Sequence, residues 1–269
     1  MLVVIDVGNS EVKLGLLSDG RIVSTRRTAT HAQTARFDAE GLLLDALGSQ
    51  GSAIAVLDAI ALVSVVPRWT DSVTDLAARL GVDLLVADPA TIPMAVNVRR
   101  PERVGADRLL NAYAASRLHG APAIVVDLGT ATTVDAVDAD GAFVGGAIAP
   151  GLELGLRALA SGTAQLPRAP LAVPSAAIGR DTAEAIQSGT VFGHVGLVRE
   201  LVDRMTREMV SDADQRPTVV VTGGLSRGAW VHLLPGVDVV DPDLTLRGLA
   251  VLHAEHTARV PPATTPTSR

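Results

Sequence analysis

The sequence contains no cysteine, and this absence removes several kinds of chemistry at once. Disulfides, thiolate catalysis and the commonest structural zinc sites all require cysteine side chains. A chain without cysteine fits a reducing compartment, where disulfides are rare. We therefore expect a cytoplasmic protein.

Aromatic residues and positive charge are also scarce. Aromatic residues make up 2% of the 269 residues, and 23 Lys and Arg stand against 29 Asp and Glu, which gives a net charge of −6. Nucleic-acid binding usually relies on a basic face or on aromatic stacking platforms. The composition therefore predicts no nucleic-acid partner.

Long hydrophobic runs are missing as well. The N-terminal stretch MLVVIDVG has no basic segment and reaches Asp6 after four apolar residues, so it predicts neither a signal peptide nor a membrane anchor. No later apolar run approaches the roughly 18 residues that a membrane-spanning helix needs. We expect no membrane association.

Lysine occurs once, at Lys13, and it does not follow the glycine spacing of a Walker A loop. This excludes a P-loop nucleotide site. A phosphate-binding protein with this sequence would have to use backbone amides, hydroxyls, metal-held carboxylates, arginine and Lys13.

One pattern is present twice, about 120 residues apart. Residues 2–10 read LVVIDVGNS and residues 124–133 read IVVDLGTATT, so a buried strand ends each time in Asp, an apolar residue, Gly and small polar residues. A single copy would be an ordinary tight turn, in which Gly supplies a positive φ. Two copies favour a duplicated unit, in which Gly-rich turns and carboxylates line a nucleotide cleft.

The rest of the chain repeats the same order of elements. Each half begins with three strands and continues with helices and another buried strand, which predicts an α/β fold. Helices are expected over residues 39–49, 70–81, 153–161 and 181–209, with Thr70 or Asp71 capping the second and Gly81 ending it. The proline-rich end from Val260 predicts a disordered tail.

Two further segments allow two interpretations each. Asp107, at the start of a helix in PERVGADRLLNAY, is either an N-cap or a base that accepts a hydroxyl proton, with Arg108 beside it for an anion. The strand-turn TVVVTGGLSRG is either an adenosine site, where bare backbone packs on the ligand, or a helix-entry turn. Spacing alone does not decide between them.

A serine hydrolase is the alternative from another enzyme class. Residues 224–228 match the G-x-S-x-G pattern around Ser226, and Asp241 and His253 follow in the hydrolase order. Only about forty residues follow the motif, which is too few for the remaining elements of a hydrolase fold. His253 and His256 could share a helix face, which is most simply a solvated face.

Eight segments, taken in order along the chain, resemble those of type III pantothenate kinases. They are DVGN at 6–9, GADR at 105–108, DLGTATT at 127–133, GGAIAPG at 145–151, LPR at 166–168, IGRDTAEAIQSG at 178–189, VTGGL at 221–225 and DPDLTLRGL at 241–249. The resemblance implies duplicated ribonuclease-H-like domains of the actin-like ATPase type, with mixed sheets flanked by helices and a cleft between the domains. It implies an N-terminal domain over 1–117, a C-terminal domain over 118–258 and a tail over 259–269.

The resemblance also implies an activity, ATP-dependent phosphorylation of the pantothenate 4′-hydroxyl, the first step of coenzyme A biosynthesis. Asp107 would accept the hydroxyl proton, Asp127 would bind a monovalent cation, K⁺ or NH₄⁺, and Mg²⁺ would accompany ATP. The residues implied in ATP binding are Asp6, Val7, Gly8, Asn9, Ser10, Glu11, Val12, Lys13 and Thr130. Those implied in pantothenate binding are Gly105, Ala106, Asp107, Arg108 and Thr182, in a homodimer whose partner subunit contributes to the site.

Five positions depart from the family pattern. Ser10 replaces a common Thr, Leu128 a common Phe, and Arg36-Phe37 a frequent acidic pair; Val98 stands where many members carry a substrate-contacting Tyr. These changes leave one non-enzymatic alternative open, an accessory protein that binds nucleotide without turnover. The intact Asp107 and Asp127 favour the kinase.

Overall fold

The computed structural model describes residues 1–30, 39–47, 57–209 and 216–259. By its contacts the chain divides into two compact units, Met1–Ile92 with Thr245–Arg269, and Pro93–Leu244. Each unit contains one mixed sheet, for which the described ranges supply five strands.

The sheet of the first unit has the strand order β3-β2-β1-β4-β5. Its strands are β1 (Leu2–Val7), β2 (Glu11–Ser18), β3 (Arg21–Ala29), β4 (Ala59–Ser64) and β5 (Asp83–Val86). The first three strands form an antiparallel meander, while β4 and β5 continue the sheet in parallel from β1. The three strands predicted at the start of this half are therefore confirmed.

The sheet of the second unit repeats this pattern in the order β10-β9-β6-β7-β8. Its strands are β6 (Ala123–Leu128), β7 (Ala131–Val137), β8 (Phe143–Pro150), β9 (Thr218–Thr222) and β10 (Val239–Val240). Again three strands form an antiparallel meander, and two continue it in parallel. The same order of strand directions in both sheets confirms the duplicated α/β unit.

Helices flank both sheets. Within the described residues they are α1 (Ala39–Leu47), α2 (Pro67–Leu80), α3 (Ala106–His119), α4 (Leu152–Gly162), α5 (Thr182–Met209) and α6 (Leu244–Arg259), with short 3₁₀ turns at Pro101–Arg103 and Ala229–Leu233. Because helices cover the sheets, the central strands β1 and β6 are buried along most of their length.

The start of α2 differs from the prediction. The helix begins at Pro67 and not after Thr70 or Asp71, and its N-cap is Val66. Proline suits this first position because its missing N–H has no intrahelical partner there and its φ is already helical. Gly81 ends the helix with φ 66°, as predicted, because a left-handed residue closes the last turn.

The contacts place the boundary between the two units after Ile92, and not between residues 117 and 118 as the resemblance implies. Helix α3 belongs to the second unit, because it packs on β6, β7 and β8. Helix α6 returns to the first unit, where Leu246 lies against Gly15 of β2. Arg259 is the last residue of this helix and not the first of a tail.

Some expectations fall outside the described residues. The departure at Arg36-Phe37, the last two residues of the helix predicted over 39–49 and the tail from Val260 all lie there. Among the residues that are described, none of the helices has the length and apolar character needed to cross a membrane.

A histidine of α5 contacts the second sheet. His194 Nε2 lies 3.0 Å from the hydroxyl of Thr132, a buried residue of β7. Burial lowers the pKa of His194 from its ordinary value. The neutral imidazole is therefore the form that the folded unit holds at neutral pH.

This burial predicts a pH dependence of stability. Below about pH 6.5 the unfolded chain binds a proton at His194 before the folded protein does, so the free energy of unfolding should fall as the pH drops through this range. His194→Gln removes this titration. Denaturant unfolding at pH 8 and pH 5 should show a smaller loss for His194→Gln than for the unchanged protein; equal losses would contradict the assignment.

Candidate active site

The first loop, residues 8–10, is a tight turn between β1 and β2. The Gly8 N–H donates to the Glu11 carbonyl over 2.9 Å, and the Thr30 hydroxyl donates to the Gly8 carbonyl over 2.7 Å. Asn9 and Ser10 are exposed at the tip of the turn. The loop thus presents polar side chains from a fixed backbone, which suits anion binding.

Two opposite charges lie beside this loop. Asp6 of β1 and Lys13 of β2 are paired across the two strands, so their side chains share one face of the sheet. Lys13 is buried and Asp6 is half-buried. The single lysine of the chain is therefore held at the end of β1 that carries the first loop.

The second loop, residues 129–130, joins β6 to β7. Thr130 accepts a hydrogen bond from the Gly151 N–H over 3.1 Å, and a Cβ on Gly151 would lie only 2.3 Å from the Gly129 carbonyl oxygen. Gly151 is the N-cap of α4. The N-terminus of a helix, which favours anions, therefore lies against Thr130.

Asp127 is the last residue but one of β6, and it is half-buried. Asn111 of α3 donates to Asp127 Oδ2 over 3.0 Å. A Cβ on Gly223, which has φ 96°, would come within 2.3 Å of Oδ1, so only glycine fits there. Thr222 is paired with Asp127 on the neighbouring strand, and its buried hydroxyl makes no hydrogen bond within the described ranges.

The donors around Asp127 suit a hard cation. A carboxylate and a hydroxyl are oxygen ligands of the kind such ions prefer. An orphaned buried hydroxyl is uncommon in native structures, and a bound ion would satisfy it. No group of three or more His, Asp or Glu side chains in the described part of the chain could hold a metal, so main-chain oxygens or water would complete the shell.

Asp107 lies in the first turn of α3 and is not its N-cap. The N-cap is Gly105, which makes no side-chain cap, and Asp107 Oδ1 accepts the Arg108 N–H over 2.9 Å. A Cβ on Gly105 would lie 2.5 Å from the same oxygen. Gly105 therefore leaves room for the carboxylate, and the N-cap interpretation is wrong.

Arg108 is held by a residue that the sequence analysis missed. Its Nε donates to Asp135 Oδ1 over 3.0 Å, and its Nη2 also contacts this oxygen. Burial raises the pKa of Asp135, while the hydrogen bond and the charge of Arg108 oppose that rise. A charged residue between the apolar residues Val134 and Ala136 of a strand was the signal that could have found it.

Thr182 starts α5, and two side chains accept backbone N–H groups at this N-terminus. The Glu184 N–H donates to Asp181 Oδ1 over 2.8 Å, and Glu184 Oε2 accepts the Arg180 N–H over 2.7 Å. Thr182 is exposed and lines an apolar groove of about 740 Å³ between α4 and α5. The structure therefore brings Gly105, Asp107 and Arg108 together at α3 and places Thr182 on this groove.

Ser226 is not arranged as a nucleophile. Its side chain is buried, and its hydroxyl donates to the Gly223 carbonyl over 2.7 Å. Asp241 lies 3.3 Å from His119 Nε2. A nucleophile elbow needs an exposed serine, so the serine hydrolase alternative is not supported.

Comparison with known proteins agrees with the sequence resemblance. The family profile of type III pantothenate kinase matches residues 2–204. The Type III pantothenate kinase of Thermomicrobium roseum is 42% identical over 252 residues, covering 93% of this chain and 95% of its own. That of Zymomonas mobilis is 39% identical over 261 residues, covering 95% and 93%.

A solved structure shows the fold. Component A of the (R)-2-hydroxyglutaryl-CoA dehydratase of Acidaminococcus fermentans superposes with a TM-score of 0.51 at 16% identity, covering 96% of this chain and 98% of its own. Likeness at this identity concerns the fold alone. On the profile match and the two close relatives, the chain belongs to the type III pantothenate kinase family.

Proposed function

We propose that this protein transfers the γ-phosphoryl group of ATP to the 4′-hydroxyl of pantothenate, giving ADP and 4′-phosphopantothenate. The observation that carries the proposal is the N-terminus of α3, where Gly105 leaves space for the Asp107 carboxylate and Arg108 lies next to it. Family membership supports pantothenate as the substrate, and the geometry supports Asp107 as a base with the positively charged Arg108 next to it in the chain.

In this reaction Asp107 accepts the proton of the pantothenate hydroxyl as its oxygen attacks the γ-phosphorus. The bond from the γ-phosphorus to the β,γ-bridging oxygen breaks, and ADP leaves. Phosphoryl transfer asks the protein mainly for positioning and charge stabilisation, so one carboxylate base in a fixed position is sufficient.

ATP is bound by the two loops in this proposal. The residues assigned to it are Asp6, Val7, Gly8, Asn9, Ser10, Glu11, Val12 and Lys13 in and around the first loop, and Thr130 in the second loop. The turn geometry of residues 8–10 and the α4 N-terminus beside Thr130 support phosphate binding. Asp6 offers a carboxylate oxygen for the Mg²⁺ that accompanies ATP.

Pantothenate is assigned to Gly105, Ala106, Asp107 and Arg108, with Thr182 completing the site. Since Thr182 is exposed at the start of α5, we propose that it acts in a homodimer whose partner subunit contributes to the substrate site. Exposed apolar side chains of the second unit, Ile148 at 64% and Ile178 at 83%, support an apolar contact with a second copy. The cytoplasmic setting stays a prediction.

A monovalent cation, K⁺ or NH₄⁺, is assigned to Asp127, with the Thr222 hydroxyl as a further oxygen ligand. When bound, such an ion supplies positive charge that offsets the phosphates of ATP. The accessory-protein alternative is not favoured, because the carboxylates of Asp107 and Asp127 are both present and both ordered by hydrogen bonds.

The first prediction from this proposal concerns Asp107→Asn. The amide cannot accept the hydroxyl proton, so turnover should fall by about 10²–10⁴-fold, the range typical of general acid–base catalysis. The measurement is ADP release by the purified protein with ATP, Mg²⁺ and pantothenate. Asp140→Asn, an exposed carboxylate in the β7–β8 turn, is the matched control and should leave turnover unchanged.

The outcome that would contradict the proposal is equally direct. A folded, ATP-binding protein that releases no ADP in response to pantothenate, in either sodium or potassium buffer, would move the assignment to the accessory protein. In that case Val98, which lacks the phenol present in many family members, would be the first position to restore.

The second prediction concerns Asp127. If its carboxylate holds the monovalent cation, turnover in potassium should exceed turnover in sodium, and Asp127→Asn should abolish this difference by removing the ligand charge. Initial rates are measured across potassium concentrations at constant ionic strength. An unchanged potassium response in Asp127→Asn would place the cation elsewhere.

A further inference from the structure

Arg108 and Asp135 form an ion pair inside the second unit. The Asp135 side chain is 1% exposed and that of Arg108 is 18% exposed. The guanidinium meets the carboxylate along one side, with Nε 3.0 Å from Oδ1 and 3.3 Å from Oδ2, and with Nη2 also on Oδ1. Such two-point contact fixes the orientation of a guanidinium as well as its position.

The surroundings of this pair are shaped to hold it. The Thr133 hydroxyl donates to Asp135 Oδ2 over 3.1 Å, and the Arg108 guanidinium carbon lies 5.6 Å from the centre of the Phe143 ring. A Cβ on Gly146 would lie 2.3 Å from Asp135 Oδ1 and 2.9 Å from Arg108 Nη2. Glycine at position 146 therefore leaves the space that the pair occupies.

The pair leaves part of the guanidinium available. Arginine carries five N–H donors, and Asp135 takes the Nε–H and one from Nη2. The hydrogen bonds of the described ranges leave three donors for another acceptor, the two of Nη1 and the second one of Nη2. Arg108 follows the proposed base, Asp107, in the first turn of α3, and its side chain is partly exposed. We therefore expect these donors to be accessible to a substrate bound at Asp107.

We propose that Asp135 is a positioning residue that holds the Arg108 guanidinium so that its remaining donors bind an oxygen of pantothenate next to Asp107. The inference rests on the proposed function. An arginine contact made equally before and during the transfer affects KM more than kcat. The ion pair therefore affects pantothenate binding, while Asp107 accepts the hydroxyl proton.

The test is a double-mutant cycle in the kinase assay. Asp135→Asn keeps the shape but not the charge, and it should raise the KM for pantothenate by about 10–100-fold, the range for a hydrogen bond to a charged group. The kcat and the KM for ATP should stay within about twofold, because Asp135 acts only through Arg108. In an Arg108→Ala background, Asp135→Asn should add nothing further.

Two variants control this experiment. Asp138→Asn, in the turn after β7, loses a carboxylate whose Oδ1 accepts the Ala142 N–H over 2.8 Å, and it should leave the KM for pantothenate unchanged. Thr133→Val removes only the hydroxyl on Asp135, and it should raise this KM by about 2–10-fold, the range for a neutral hydrogen bond. The Thr133 variant keeps the proposal testable if Asp135→Asn does not fold.

The proposal is overturned if Asp135→Asn raises the KM for pantothenate by the same factor in the Arg108→Ala background as in the unchanged protein. Equal effects of Asp135→Asn on the KM for ATP and the KM for pantothenate would also overturn it. Protection of the Arg108 Nε–H from solvent exchange, followed by NMR and assigned with Arg108→Lys, reports on the ion pair without any substrate. Protection that is lost in Asp135→Asn supports the positioning role even if pantothenate is not the substrate. An unprotected Nε–H in the unchanged protein contradicts it.

Discussion

The buried carboxylate of Asp135 is the constraint around which the second unit is arranged. A charge with 1% exposure is costly unless it is paired and hydrogen-bonded, so it requires Arg108 from α3 and Thr133 from its own strand. Because Arg108 follows Asp107, satisfying Asp135 also fixes the first turn of α3 and the proposed base on it. One electrostatic requirement thus connects β7 with the reacting end of the helix.

Glycine residues complete this arrangement, because their backbone can approach the carboxylates closely. Added Cβ atoms at Gly105 and Gly146 would come within 2.5 Å and 2.3 Å of the Asp107 and Asp135 carboxylates, and one at Gly223 within 2.3 Å of Asp127. Each of the three carboxylates is therefore bordered by backbone without a side chain.

Sequence patterns predicted the parts of the site that are formed by residues close together in the chain. Apolar runs and turn residues predicted the two loops, the positions of Asp6 and Asp127 near the ends of their strands, and the position of Asp107 in the first turn of α3. Asp135 was missed because its partner lies 27 positions earlier, and only packing of α3 on the sheet brings them together. The G-x-S-x-G motif wrongly indicated a nucleophile for a similar reason. The burial of the Ser226 side chain depends on tertiary contacts, which the motif does not show.

Identification of the reaction product shows directly whether this chain phosphorylates pantothenate. Purified protein is incubated with ATP, Mg²⁺, potassium and pantothenate, and the mixture is analysed by mass spectrometry and ³¹P NMR. We expect 4′-phosphopantothenate, with the phosphate on the primary hydroxyl, in amounts equal to the ADP formed. ADP accompanied by free phosphate, with pantothenate unchanged, would contradict the account.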